Sequence, residues 1–339
     1  MNTQTFSFST ASVKYYFNAG FDHLQKLVSI EQTVLLTDEN IFSKHKKRFK
    51  GWKTIVIKAG EAHKNQSTVD NIIRQLIETG ADRKTTLVGI GGGVITDITG
   101  YVAGIFLRGI SFGFVPTSIL AMVDASVGGK NGVDVGLYKN MVGLIRQPSF
   151  ILFDYSVLKT LPKEEWINGF AEIIKHATIK DAPMFKILEE ARLTTFQKDS
   201  NALAKLIQRN VLIKTKVVLN DEFESGERKQ LNFGHTLGHA IENLYQIPHG
   251  HAISIGMGLA GTLSEKLNGF KEKERLTNLL KLYGLPPQFE FDKERAFDIL
   301  LKDKKKAGRQ ISFVLLKKIG KADVQLLSLE DLHTLIQQL

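Results

Sequence analysis

The chain contains no cysteine among its 339 residues. Disulfide bonds, thiolate nucleophiles and cysteine-ligated zinc are therefore excluded, and any metal site has to use histidine, aspartate or glutamate. No run of about eighteen apolar residues occurs, and the amino terminus lacks the apolar core of a secretory signal. Low-complexity tracts and internal repeats are also absent. These absences predict a globular, cytoplasmic protein that does not span a membrane.

Positive charge is in excess. The sequence has 45 lysine and arginine residues against 35 aspartate and glutamate residues, a formal net charge of +10. Such a charge steers anionic partners toward the protein, but it does not choose between nucleic acid, a membrane surface and small acidic substrates. With 43% hydrophobic residues, the chain is long enough for two domains with cores of their own.

Short β-branched runs alternate with amphipathic stretches in the first 150 residues. This alternation is typical of βαβ units, which build a parallel sheet covered by helices. The pattern predicts strands over 33–37, 54–57, 85–90 and 112–115, and helices over 69–78 and 95–106.

Three consecutive glycines, Gly91, Gly92 and Gly93, lie where a predicted strand meets a helix. Because glycine has no β-carbon, backbone N–H groups here can approach a ligand closely at the positive end of the helix dipole, as in a phosphate cradle. A tight turn that only needs glycine is the alternative. The dinucleotide fingerprint is incomplete, since Thr96 stands where a third glycine is expected.

Polar residues follow the predicted strands, at the edge where parallel sheets bind ligands. Carboxylates there can hold ribose hydroxyls while the glycines take a pyrophosphate. Aspartate and asparagine also populate ordinary turns, which is the alternative at any single position. The strand-end residues are Asp38, Asn40, Glu61, Lys64, Asp97, Thr117 and Ser118.

Helical periodicity dominates the second half of the chain. The composition changes between residues 150 and 160, which predicts domains over 1–158 and 159–339. A terminal hairpin is predicted over 311–316 and 322–326, followed by a helix that starts at Ser328. The predicted long helices cover 163–179, 183–193, 202–219, 236–244, 252–267 and 271–282.

Histidines concentrate in one segment of this half. His235 and His239 lie four residues apart, so that on a helix both imidazoles project from one face, as metal ligation requires. His249 and His251 follow closely, and Glu172 lies on a predicted helix upstream. Two histidines and a glutamate with an open coordination position form a catalytic zinc arrangement. The spacing favours His235 with His239 and leaves the choice between His249 and His251 open, with purely structural histidines as the alternative.

A second glycine-bearing loop, Val123–Lys130, ends in a lysine, and further cations lie near the segments already named. Lysine and arginine that face a pocket bind phosphate and carboxylate through charge-assisted hydrogen bonds. An ordinary solvated face is the alternative. The cations are Arg108, Lys130, Lys139, Lys214, Arg228 and the run 302–306.

Four motifs, in this order, resemble those of the 3-dehydroquinate synthases, the shikimate-pathway members of the sugar phosphate cyclases. They are Gly91–Asp97, Pro116–Lys130, Asn168–Lys175 and Leu231–Glu242, and the likeness extends from about residue 38 to about residue 320. The resemblance implies a Rossmann-like NAD-binding α/β domain over 1–158 and a mainly α-helical metal- and substrate-binding domain over 159–339. It places NAD+ and Zn2+ or Co2+ in the cleft between them.

The resemblance also implies individual roles. Against the spacing, it assigns the metal to Glu172, His235 and His249, and it assigns His239 to the substrate. It implies, together with the glycine run and the strand ends, the cofactor residues Asp38, Asn40, Glu61, Lys64, Gly91, Gly92, Gly93, Asp97, Thr117, Ser118, Asp124, Lys130, Lys139 and Thr160. The substrate residues that it implies are Arg108, Lys130, Asn140, Lys175, Lys214, Arg228, Asn232, His239 and Lys305, the last in preference to Lys304.

Three positions depart from the family pattern. Ser118 stands where threonine is usual, Thr96 replaces a common glycine, and His251 takes the place of a glutamate. The serine keeps the hydroxyl group, so that its effect should be small. Thr96 is expected to alter the approach to the pyrophosphate slightly, and His251 the surroundings of the metal but not the ligand set.

The implied reaction converts 3-deoxy-D-arabino-heptulosonate 7-phosphate into 3-dehydroquinate and phosphate. It proceeds by transient oxidation with NAD+, elimination of phosphate, re-reduction and intramolecular aldol closure. The protein is thus predicted to be a carbon–oxygen lyase of aromatic amino acid biosynthesis and a homodimer, with a phosphorylated sugar acid rather than nucleic acid or membrane as its partner. The alternatives are another sugar phosphate cyclase, such as one of the 2-deoxy-scyllo-inosose synthase type, a metal-dependent polyol dehydrogenase, and a basic nucleic-acid-binding module.

Overall fold

A computed structural model describes residues 1–136, 138–304 and 310–338, and for residues 302–304 it describes the backbone alone. The chain divides into two compact units. The first comprises residues 1–165 and 203–215, and the second comprises residues 166–202 and 216–339.

A seven-stranded sheet forms the centre of the first unit in the described part of the chain. Its strands are β1 (Asn2–Ser7), β2 (Ser12–Phe17), β3 (Thr33–Asp38), β4 (Lys53–Ile57), β5 (Thr86–Gly91), β6 (Ser111–Pro116) and β9 (Phe150–Phe153). Their order across the sheet is β1-β2-β9-β6-β5-β3-β4, with β1 antiparallel to β2 and the other pairs parallel. The four strands expected from the sequence are β3 to β6, so the prediction of a parallel α/β sheet is confirmed.

The helices of this unit are α1 (Glu39–His45), α2 (Gln66–Glu78) and α3 (Gly93–Ile105). The Asp38 carboxylate caps α1 by accepting the Ile41 N–H at 3.0 Å, and Asn65 caps α2 by accepting the Thr68 N–H at 3.0 Å. A separate antiparallel hairpin consists of β7 (Lys130–Val135) and β8 (Tyr138–Ile145). Short helical segments cover Phe21–Lys26, Lys46–Phe49, Glu61–His63, Phe106–Arg108, Ala121–Ala125 and Tyr155–Thr160.

Side-chain alternation along the strands builds the core of the first unit. Val88 and Ile90 of β5 pack with Leu35 and Val115 on one face of the sheet, together with aromatic residues such as Trp52. Helix α3 contacts β5 and β6 as well as β7. Because it contacts both the sheet and the strand β7, most of α3 is buried, and its amino-terminal end is fixed next to the carboxyl end of β5.

The second unit is mainly helical, as the sequence predicts. Its elements include α4 (Lys163–Lys180), α5 (Ala182–Glu190), α6 (Leu193–Lys198), α7 (Ser200–Asn220), α8 (His235–Tyr245), α9 (His249–Asn268), α10 (Lys273–Leu282), α11 (Lys293–Lys304), β10 (Gln310–Lys318), β11 (Lys321–Ser328) and α12 (Leu329–Gln337). The short helical segment Glu227–Asn232 precedes α8. The middle of α7, residues 203–215, belongs to the first unit. The predicted hairpin is β10–β11. Ser328 caps α12 by accepting the Asp331 N–H at 2.9 Å.

None of the helices in the described residues combines the length and apolarity needed to cross a membrane.

Helix α2 offers a matched test of the packing. Ile72 is fully buried and Ile77 is 64% exposed on the same helix. We expect Ile72→Ala to lower the free energy of unfolding by about 2–5 kcal/mol, because it removes buried methyl groups and leaves a cavity. Ile77→Ala should change it by less than about 0.5 kcal/mol. Urea denaturation followed by circular dichroism measures both, and equal losses would contradict the assigned orientation of α2.

Candidate active site

The glycine run connects β5 to α3. A β-carbon on Gly91 would lie 2.4 Å from the Ile95 side chain, so packing alone requires glycine there. On Gly92 it would meet nothing closer than the Ser118 hydroxyl at 3.6 Å, and on Gly93 nothing closer than Ala125 at 3.4 Å. Gly92 is the N-cap of α3, and no side chain caps the helix. The first turn of α3 thus has no side-chain cap, and the two glycines keep side-chain atoms away from its backbone N–H groups, which fits a phosphate group.

Lys64 lies at the centre of a charged network in the first unit. Its ammonium is buried and contacts Asp97 Oδ2 at 2.6 Å, Asn140 Oδ1 at 2.5 Å and Glu61 Oε1 at 4.0 Å. Burial alone would lower the pKa of Lys64, but the carboxylates of Asp97 and Glu61 outweigh it and raise the pKa, so that the ammonium stays charged. The structure thus brings three predicted cofactor residues together with Asn140, which was predicted to contact substrate.

A second buried lysine is held by the predicted cofactor residue Asp124. Lys214 donates to the Asp124 carbonyl oxygen at 2.7 Å and to its Oδ1 at 2.8 Å. Both residues belong to the first unit. Thr117 is another predicted cofactor residue. It donates its N–H to the Gly91 carbonyl oxygen at 2.9 Å, which holds the carboxyl ends of β5 and β6 side by side.

Other predicted residues of the first unit lie in different surroundings. Thr160 accepts from Lys44 at 3.2 Å and contacts the His45 ring at 3.0 Å, at the last turn of the helix that Asp38 caps. Arg108 has a positive φ of 66° at the end of its one-turn helix. Outside the Lys64 network, the predicted residues of this unit with exposed or half-buried side chains are Asp38, Asn40, Arg108, Asp124, Lys130, Lys139 and Thr160.

Glu172 lies on α4 in the second unit and is fully buried. Its Oε2 pairs with the buried ammonium of Lys175, one turn further along α4. Its Oε1 lies 3.6 Å from His235 Nε2 and 3.6 Å from His249 Nε2. Ligand atoms bound tetrahedrally to Zn2+ at 2.0–2.2 Å are about 3.4 Å apart. The three residues are therefore spaced as ligands around one such ion.

Packing explains why residues so distant in sequence meet. The Phe170 ring of α4 stacks on Tyr283 with ring centroids 5.1 Å apart and contacts Phe196 at 5.6 Å. The Asn168 side chain of α4 accepts the Gly250 N–H. A β-carbon on Gly250 would lie 2.4 Å from the Asn168 carbonyl oxygen, so only glycine lets the start of α9 approach α4 this closely. His249, the first residue of α9, is placed beside Glu172 in this way.

The two imidazoles differ in their electrostatic surroundings. His235 Nδ1 lies 3.2 Å from the Phe233 carbonyl oxygen, which can only accept, so Nδ1 carries the proton and Nε2 is left as a metal-binding lone pair. Burial and the nearby Lys175 ammonium hold the pKa of His235 well below its usual range. For His249, burial acts in the same direction, but hydrogen bonds to Glu172 and Glu242 outweigh it and raise the pKa to about 9.

His239 lies beside the group around Glu172. Its ring centroid is 5.0 Å from that of His235 and 5.9 Å from that of His249. The helical spacing correctly predicted that His235 and His239 share a face. However, the group that includes His235 and Glu172 takes His249 as its third member. Within the described residues no such group contains His251, whose pKa burial lowers.

Arg228 and Asn232 lie in the short helical segment before α8. The Arg228 side chain is buried and donates to the Glu222 carbonyl oxygen at 2.5 Å, and Asn232 donates to Glu224 Oε1 at 2.6 Å. The Asp221 carboxylate organises this loop by accepting the N–H groups of Ser225, Gly226 and Arg228 at 2.7–2.9 Å. Lys305, also predicted to bind substrate, lies outside the described residues.

Sequence reasoning assigned no role to Glu242, Asn168 or Asp221. Glu242 follows His235 by seven residues and His239 by three, so helical periodicity already places it on their face of α8. The same periodicity could have identified it. Asn168 and Asp221 act through backbone groups, which leave no pattern in the sequence.

Two family models match adjoining parts of the chain. The model described as the 3-dehydroquinate synthase N-terminal matches residues 54–168, and the one described as the C-terminal matches residues 169–306. The 3-dehydroquinate synthase of Thermodesulfovibrio yellowstonii is 43% identical over 293 residues, covering 84% of this chain and 81% of that protein. The 3-dehydroquinate synthase of Campylobacter concisus is 40% identical over 309 residues, covering 89% and 84%.

Solved structures share the fold. A 2-deoxy-scyllo-inosose synthase complexed with carbaglucose-6-phosphate, NAD+ and Co2+ is 24% identical, with a TM-score of 0.86 over 99% of this chain and 100% of that one. The 2-epi-5-epi-valiolone synthase from Streptomyces hygroscopicus subsp. jinggangensis 5008, with NAD+ and Zn2+ bound, is 23% identical. Its TM-score is 0.87 over 100% of this chain and 99% of that one.

Substitutions at two positions of the glycine run test packing and ligand binding separately. We expect Gly91→Ala to destabilise the protein by about 1–3 kcal/mol through overpacking against Ile95. Gly92→Ala should leave the thermal midpoint unchanged but weaken NAD+ binding about tenfold or more, because its methyl group would fill the space over the N–H groups of α3. Calorimetric titration with NAD+ and thermal denaturation measure the two effects. Unchanged NAD+ affinity in Gly92→Ala would mean that the glycines serve only the tight turn between β5 and α3.

The Asp221 loop predicts a dependence on pH. Burial opposes the shift, but the N–H groups of Arg228, Gly226 and Ser225 lower the pKa of Asp221 from 3.8 to about 2. Since the folded-state pKa is depressed, the stabilisation is fully present above about pH 4 and is lost as the pH falls toward 2. The stability difference between wild type and Asp221→Asn, measured by urea denaturation, should therefore shrink over this range. A difference that is constant with pH would contradict the assignment.

Proposed function

The chain belongs to the 3-dehydroquinate synthase family, and we propose that it is itself a 3-dehydroquinate synthase. As such it would be a carbon–oxygen lyase that converts 3-deoxy-D-arabino-heptulosonate 7-phosphate into 3-dehydroquinate and phosphate. The observation that carries the proposal is the convergence of Glu172, His235 and His249 at the spacing of ligands around one ion. This group occurs in a chain that matches both halves of the family.

NAD+ would accept and later return a hydride, and Zn2+ or Co2+ would polarise the hydroxyl group that is oxidised. The N–H groups at Gly92 and Gly93 would hold the pyrophosphate, because they lie at the start of α3 and no side chain caps this helix. Lys64, kept charged by Asp97 and Glu61, would fix the cofactor beside it. The further cofactor residues we propose are Asp38, Asn40, Gly91, Thr117, Ser118, Asp124, Lys130, Lys139 and Thr160.

Glu172, His235 and His249 would hold the metal. The donor set fits, because two imidazoles and one carboxylate leave an open position for substrate on a four-coordinate ion. Lys175 favours the ionised form of Glu172 through their ion pair, and His235 presents Nε2 because its Nδ1 faces the Phe233 carbonyl oxygen. His249 would release, on binding an ion, the proton that its contacts with Glu172 and Glu242 favour.

Cations would orient the substrate, which carries a carboxylate and a phosphate. Lys175, Lys214 and Arg228 have almost no exposed surface, so each needs acceptor groups close by, and a bound anion would add to them. Holding both ends of the substrate would fix the reacting carbons and stabilise charge that develops during elimination. The remaining substrate residues we propose are Arg108, Lys130, Asn140, Asn232, His239 and Lys305.

We further propose that residues 1–158 bind NAD+ and that residues 159–339 bind metal and substrate. The family likeness is the support for this division, as it is for a homodimer located in the cytoplasm.

The decisive assay combines the protein with NAD+, Zn2+ or Co2+, and 3-deoxy-D-arabino-heptulosonate 7-phosphate. We expect phosphate release with no net NADH, because the hydride is returned within each turnover. His235→Ala should lose turnover and weaken Zn2+ binding at least about 100-fold by removal of a ligand. His333→Ala is the matched control, since this half-buried histidine lies on α12 and contacts Glu294.

Other outcomes would identify a different enzyme. Net accumulation of NADH from a polyol would indicate a dehydrogenase. Phosphate release from another sugar phosphate, but not from the heptulosonate, would indicate a different cyclase. Normal turnover by His235→Ala would refute the proposed metal site.

A further inference from the structure

We propose that Glu242 is a positioning residue that holds the His249 ring in the one orientation and tautomer in which Nε2 faces Glu172. The inference rests on the metal site proposed above and adds to it a residue that does not touch the ion.

The His249 ring lies between two carboxylates. Its Nε2 is 3.6 Å from Glu172 Oε1, and its Nδ1 is 3.3 Å from Glu242 Oε2. Glu242 is 5% exposed, so water is largely kept from its carboxylate. A flip of the ring about its bond to Cβ would replace both nitrogens by carbons and lose both contacts. The pair of carboxylates therefore selects a single ring orientation.

Glu242 also selects the tautomer. An ionised carboxylate can only accept a hydrogen bond, so Glu242 holds a proton on Nδ1. When an ion takes the place of the proton that faces Glu172, Nε2 is then the nitrogen that ligates it. In metal sites, a carboxylate behind a histidine fixes the ring in this way and makes it a better donor. The corresponding hydrogen bond of His235 is weaker, because its Nδ1 faces the neutral carbonyl group of Phe233 at 3.2 Å.

His249 has more need of such support than His235. Its side chain is 27% exposed, against 13% for His235, so water can compete for its ring nitrogens. It is also the first residue of α9, where Pro248 provides no side-chain cap. Glu242 comes from the preceding helix, α8, on the face that carries His235 and His239. One face of α8 thus supplies a ligand and orients the residue that follows on the next helix.

The test measures metal affinity rather than activity. We expect Glu242→Ala to raise the Zn2+ dissociation constant about 10–100-fold, measured by competition with a chromophoric chelator. The visible absorption spectrum of the Co2+-loaded protein should change in position or intensity, because the His249 ring is no longer fixed. Glu242→Gln should lose less affinity, since its amide oxygen can still accept from Nδ1. Glu274→Ala removes an exposed glutamate of α10 and is the matched control.

Each outcome decides between the two proposals. Zn2+ and Co2+ binding by Glu242→Ala equal to wild type would overturn the positioning role and leave the metal site intact. If Glu242→Ala does not fold, Glu242→Leu, which is of similar size but cannot accept from Nδ1, decides in its place, and wild-type affinity and Co2+ spectrum in that variant would overturn the role. Binding of two ions per chain in wild type, reduced to one in Glu242→Ala, would make Glu242 a ligand with His239 and His249 and also overturn it. Absence of metal binding by wild type would refute the metal site itself.

Discussion

A carboxylate removed from water on a rigid helix is the constraint on which the second unit depends. Burying an ionised glutamate is costly unless positive charge or a metal compensates for it. Glu172 receives this compensation on one oxygen from Lys175 and faces two imidazoles with the other. This requirement limits which side chains can surround the acid. The imidazoles that meet it here are also side chains that can ligate a metal ion.

The first unit also compensates a buried charge. Lys64 is buried and kept charged by acids, and the N–H groups at the start of α3 have no side-chain cap. Fixed charges and dipoles of this kind need not reorganise when a ligand binds, which favours affinity and orientation together. The positions of these groups follow from the sheet, because parallel strands end at the same edge.

The sequence predicted strands β3 to β6 and missed β1, β2 and β9. Strands β3, β5 and β6 lie inside the sheet and form compact apolar runs, and the edge strand β4 keeps a short β-branched run that the same sequence pattern reveals. Strand β1 is polar and lies at the edge, while β2 and β9 pair with each other across more than 130 residues. Short helices such as α6 were missed for a similar reason. Their formation depends on tertiary contacts more than on local periodicity.

Amino-acid order alone determined the alternation of strands and helices, the glycine run and the helical face shared by His235 and His239. These features depend on neighbours within a few residues, where backbone geometry fixes direction. Spacing alone left the choice between His249 and His251 open, although the family likeness implied His249, and only the tertiary structure shows His249 beside His235 and Glu172. That choice depends on the approach of α9 to α4, where Gly250 donates to Asn168, 82 residues away in sequence. Side chains brought together by such packing cannot be identified from spacing, because the sequence does not record which helix surfaces meet.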